Sequence, residues 1–170
     1  MKKIILFLLL FTQFPQIIRM KDYYCGEGVI FDNTTHYPFE MIDYKKPYTP
    51  TILDIKKAED FLFNNYYSYR VNVLSYFKQD VKTVNQKFKN PDKVKKYFWK
   101  YNRQYLGYVN SSNDTVIYIG LLNFKNKNKA QENFKGWKQE ILFGVGDYYY
   151  ENQKIIEINL TKKDFIYRLE

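Results

Sequence analysis

Cysteine and histidine are almost missing from this chain, with Cys25 and His36 each occurring once in 170 residues. A lone thiol excludes an intrachain disulfide, so stability outside the cytoplasm would have to come from packing. A lone imidazole excludes the histidine-rich zinc patterns and the two-histidine helix of metalloproteases. Cys25 and His36 could meet as a thiolate pair across a short irregular stretch, but no nucleophile elbow surrounds them. A buried thiol and a turn-forming histidine are the plainer readings. Glycine is sparse, at seven residues. The Gly-x-Gly pair at Gly144 and Gly146 has Tyr149 where the dinucleotide fingerprint needs its third glycine, and no Lys-Ser/Thr follows in phosphate-loop spacing. No cofactor and no metal are expected.

Aromatic residues are what the chain has in excess: 18 Tyr and 14 Phe dominate an aromatic share of 20%. Such plates suit a thin sheet domain that needs large core side chains. The formal charge of +9 would favour an acidic partner. Its lysines are scattered, however, and the joint abundance of Lys, Asn, Tyr, Ile and Phe is what an AT-rich genome produces. The opening "MKKIILFLLLF" has the charged start and short apolar run, Ile4 to Phe11, of an export signal. As a helix this run would extend only about 12 Å, against a hydrocarbon core of about 30 Å. With no small-x-small cleavage motif, the cut is placed loosely between Thr12 and Asp22, and an uncleaved anchor is the alternative. The residues before Cys25, "DYYC", lack the apolar and small residues of a lipidation signal.

These features divide the chain into residues 1–21, an export signal or short N-terminal anchor; residues 22–50, an irregular arm with one short strand at Val29 to Phe31; and residues 51–170, a single α+β domain. Thr49 and Pro50 read as the cap and first turn of a helix. Its buried stripe is Ile52, Ile55, Ala58, Leu62, Tyr66 and Tyr69, with Glu59 turned elsewhere. A second helix is expected along Leu74, Phe77, Val81, Val84 and Phe88, and a short third one after Asn90 and Pro91. The period then falls to two. Two strands flank "NSSND", a polar connection with a helical turn at Ala130 to Phe134 follows, and further strands are expected over Lys138 to Val145 and Lys154 to Leu160. Helices followed by a four-stranded antiparallel meander give an α+β fold, cystatin-like or NTF2-like in general architecture, a comparison that carries no function.

Among the acids, Glu140, Asp147, Glu151 and Glu157 fall in the sheet half. A hydrolase would need two of them on one wall, about 5–9 Å apart, and the alternation does not place them so. The basic aromatic stretch from Lys95 to Tyr105 reads as a solvated helix face, so nucleic acid is not an expected partner. Four Asn-x-Ser/Thr triplets, at Asn33, Asn110, Asn113 and Asn159, read as turns in a small bacterial protein. Trp99, Trp137, Asp147, Tyr148, Tyr149 and Tyr150 form the candidate interaction surface. Gly144 and Gly146 are expected to bend a strand that Tyr148 to Tyr150 resume. The function expected is a small secreted or periplasmic, non-enzymatic binding module for a protein, peptide or cell-envelope component. The alternatives are an extracytoplasmic hydrolase using carboxylates and tyrosines in a concave sheet, and an envelope structural or dimerisation module. Membrane contact is expected only through an uncleaved N-terminal segment.

Overall fold

The computed structural model describes residues 15–35 and 43–167. The apolar run Ile4 to Phe11 and His36 lie outside the described residues, while Cys25, expected as a buried thiol, is exposed. The first long element is α1, Ile52–Tyr76, and it starts two residues later than expected. Thr51 and Asp54 form a capping box: the Thr51 hydroxyl accepts from the Asp54 amide at 3.2 Å, and the Asp54 carboxylate accepts from the Thr51 amide at 3.0 Å. Thr49 does not cap; its hydroxyl accepts from the Asn33 amide and ties the arm down. Only a residue with a carboxylate at the third helical position can close the box, which decides between the two threonines.

The second expected helix is corrected. After α1 the chain makes two single 3-10 turns, Val81–Thr83 and Gln86–Lys89, before α2 at Pro91–Tyr97. Lys78 leaves the helical basin with φ 53°. The Asp80 and Asn85 side chains then accept from the Lys82 and Lys87 amides, offering the backbone local partners in place of helical ones.

The sheet is mixed and seven-stranded, so the expectation of four antiparallel strands is also corrected. Its members are β1 (Gln16–Ile18), β2 (Gly28–Ile30), β3 (Tyr44–Tyr48), β4 (Tyr101–Asn110), β5 (Thr115–Asn123), β6 (Gln153–Asn159) and β7 (Asp164–Ile166), in the order β1-β2-β4-β5-β6-β7 with β3 also on β4. β4, β5 and β6 do run antiparallel, with Tyr105 opposite Ile119 and Ile119 opposite Ile156. The added strands are β1, β2 and β3, before α1, and β7, after β6. β1 lies within the segment read as signal or anchor; β2 nearly coincides with the short strand expected at Val29 to Phe31, and β3 lies in the rest of the arm read as irregular. β2 pairs parallel with Arg103 to Tyr105 and β3 antiparallel with Gly107 to Asn110, so the two follow one another along a single edge of β4. Gly107 permits this: a Cβ there would stand 2.7 Å from the Tyr48 carbonyl oxygen.

Strand alternation builds two cores. Toward α1 and α2 point Tyr105, Ile117, Ile119 and Ile156, meeting Ile55, Leu62 and Tyr66, with Ile18 and Met20 completing the cluster. On the other face Val29, Leu106, Tyr118 and Leu122 meet Ala130 and Phe134, on and just after α3 (Lys127–Asn133), and Trp137. A strap over residues 137–146 and then α4 (Asp147–Asn152) complete this second layer. The expected strand Lys138 to Val145 is absent, and Tyr148 to Tyr150 are helical.

Candidate functional site

On the α1 face the sheet buries a charge pair. The Glu59 carboxylate accepts from Arg103 Nε at 3.0 Å and from the Tyr105 hydroxyl at 2.7 Å, with both charged side chains fully buried. Arg103 Nη1 also donates to the Phe98 and Tyr101 carbonyls at 3.0 and 2.5 Å, and the guanidinium lies 4.5 Å from the centre of the Tyr24 ring. Burial pushes the Tyr24 hydroxyl up to about 12 and the Tyr105 hydroxyl well above its ordinary value. Of the two phenols only that of Tyr105 donates within the group; Tyr24 Oη, Glu59 Oε2 and Arg103 Nη2 are buried without a hydrogen-bond partner among the described residues. The group joins α1, β4 and the N-terminal arm, and its bonds are internal ones.

On the opposite face β4, β5 and β6 carry a polar half beside the apolar one. The Tyr108 hydroxyl donates to buried Glu157 at 3.0 Å. Asp114, in the turn between β4 and β5, accepts from the Asn159 amide and from Lys162, each at 2.9 Å, and from the Asn110 amide at 3.3 Å. The Asn159 amide first, then Lys162, hold the Asp114 carboxyl below its ordinary value. Of the four acids singled out in the sequence, Glu140, Asp147 and Glu151 are exposed on the strap and α4, and only Glu157 stands on a strand. No wall brings two of them together. Asn110 and Asn159 are buried in these bonds, which removes two of the four Asn-x-Ser/Thr triplets from the accessible surface.

The strap is the feature that strand periodicity could not reveal. Two glutamines from the strands on either side of β5, Gln104 on β4 and Gln153 on β6, bond its backbone in place of a strand partner. Gln104 donates to the Trp137 and Glu140 carbonyls at 2.5 and 2.7 Å and accepts from the Leu142 amide at 3.0 Å. Gln153 donates to the Leu142 carbonyl at 2.6 Å and accepts from the Gly144 amide at 3.1 Å. Side-chain amides thus replace a ladder, and apolar Ile141 and Leu142 lie flat across the sheet.

The sequence-predicted surface residues divide. Trp137 is buried, its ring 5.6 Å from that of Phe124. Trp99 is half-buried just before β4, and its carbonyl accepts from the Cys25 amide at 3.0 Å. Tyr148 and Tyr149 are half-buried around Phe134, with the Tyr149 hydroxyl donating to the Asn133 carbonyl at 2.6 Å. Asp147 and Tyr150 are exposed, Tyr150 by 65%. The structure adds Phe143 and Val145, exposed by 41% and 72%, which sequence reasoning had assigned to a strand. Both glycines of the Gly-x-Gly pair have a role here. Gly146 takes φ 110° at the entry to α4, while Gly144 leaves the space that the Tyr149 ring fills.

No cluster of three or more histidine, cysteine or acidic side chains suited to a metal occurs among the described residues, and no helix among them is long and apolar enough to cross a membrane. Fold and surface together define an α+β protein whose mixed sheet carries helices on one face and a clamped, aromatic-rich strap on the other. No family model, curated protein or solved structure matches the chain.

Proposed function

We propose that the protein is a non-enzymatic binding module working outside the cytoplasm, and that the strap and α4 are the surface it offers to a protein, peptide or cell-envelope component. One observation carries the reading: Val145 and Tyr150 stand exposed by 72% and 65% just beyond the part of the strap whose backbone Gln104 and Gln153 hold at Trp137, Glu140, Leu142 and Gly144. A clamped segment has little conformational freedom left to lose on binding, so its exposed apolar area converts to affinity at reduced entropic cost. Tyrosine is also among the residue types that dominate interface energetics. The leader-like start supports an extracytoplasmic setting. The buried acids Glu59 and Glu157 are bonded to Arg103 and Tyr108, which weighs against the hydrolase reading.

The test places a photo-crosslinking side chain at Val145 or Tyr150 in cells, with Lys87, on a 3-10 turn of the α1 layer, as control. One discrete adduct from both strap positions, lost when Gln104→Ala loosens the strap, is the expected result. Equal labelling from Lys87, or none from the strap, would overturn the assignment.

A further inference from the structure

A second exposed region lies on the α1 side of the sheet, away from the strap. A shallow cleft of about 530 Å³ opens between the turn after β1 and the first turn of α1, where its lining includes Ile18, Arg19, Lys21, Asp22, Ile52 and Lys56. Three of these side chains are cationic and one is acidic. Arg19 also pairs with Glu27, yet its side chain remains 68% exposed. Beside the cleft, Ile52 and Leu53 are 40% and 61% exposed on the first turn of the helix. Exposed apolar residues between cations are the composition of a surface that settles at a lipid headgroup layer. A second feature points the same way. The apolar run Ile4 to Phe11 joins the fold through β1, and Phe11 precedes cleft residue Ile18 by seven positions, a span of at most about 25 Å.

We propose that this face rests on an anionic lipid surface, with Arg19, Lys21 and Lys56 meeting headgroup phosphates and Ile52 and Leu53 seated between them. The inference is independent of the strap. It adds a headgroup-reading surface to whatever the apolar run contributes. Each cation near such a surface is worth roughly fivefold in affinity at physiological salt, and the effect fades within about 8 Å.

The experiment sediments the full chain with vesicles of phosphatidylcholine alone and with vesicles that are about one-third phosphatidylglycerol, a composition giving the negative surface potential required. Binding through the apolar run appears equally with both, so the readout is the preference for anionic vesicles. The unaltered chain should prefer them, and the double variant Lys21→Glu/Lys56→Glu should lose at least roughly thirtyfold of that preference. Leu53→Ser should weaken anionic binding further without altering its salt dependence. A matched reversal on α3, Lys127→Glu/Lys129→Glu, should leave the preference intact. All four substituted lysines are exposed, so unfolding curves should coincide. No anionic preference in the unaltered chain, or an equal loss in the α3 variant, overturns the proposal.

Discussion

Glu59 and Arg103 show how far one residue pair can organise the interior. Removing one partner of a buried ion pair strands the other charge, at a cost of about 3–5 kcal/mol. Glu59→Leu should therefore lower unfolding free energy by about that amount. Adding Arg103→Met should recover most of the loss, as a double-mutant cycle in urea would measure. If the second substitution recovers nothing, the pair is not what the first one broke. Gly107→Ala should cost about 1–3 kcal/mol through overpacking against β3, measured as a fall in the urea midpoint. The pair leaves a trace in the sequence: Glu59 stands one position from Ala58 in the apolar stripe, and Arg103 sits between Tyr101 and Tyr105. Opposite charges inside two apolar faces, 44 positions apart, were a signal for mutual burial.

The elements were legible where local chemistry decided them. α1, α2, β4, β5 and β6 follow from caps and periodicity, and Asn90 does cap α2 by accepting from the Asp92 and Lys93 amides. The strap was illegible because its partners are side chains: Gln104 and Gln153 look like ordinary polar positions until the chain crosses above them. Gln153→Leu should leave the Gly144 amide and Leu142 carbonyl unpaired at a cost of about 1–3 kcal/mol. Amide exchange should accelerate at Gly144 while the β4–β5 ladder stays protected. Equal acceleration in both would mean that the strap is part of the global unfolding unit. β1 was hidden by its neighbour, the apolar run, which drew the whole start of the chain into a signal-like reading. Ile18 and Met20 are buried with 8% exposure each, so any processed N-terminus should begin at or before Gln16. Mass measurement of the protein recovered from cells checks this, and a start after Met20 would contradict the packing.

At the scale of the molecule, stability should fall at both ends of the pH range. The Lys138 hydrogen bond first, then that of Arg19, hold Glu27 below its ordinary value against opposing burial, and Asp114 is lowered by Asn159 and Lys162. Depressed carboxyls stabilise the fold above their ordinary values, and that contribution is lost as pH falls below about 4. Burial pushes Tyr24 and Tyr48 up to about 12, with the Asp54 hydrogen bond adding to the effect at Tyr48. Their contribution is complete below the ordinary tyrosine value and disappears as pH rises from about 10 toward 12. A melting-temperature profile should show a plateau between these limits, with its acid shoulder softened in Glu27→Gln. An acid limb unchanged by Glu27→Gln would remove that pair from the account.

The parallel pairing of β2 with β4 places Gly28 opposite Arg103. These partners are separated by most of the chain's first half and all of α1, so bringing them together requires closing a long loop before any contact rewards it. β1 and β2 can pair with one another early, but the second edge of β2 has no partner until β4 has been made.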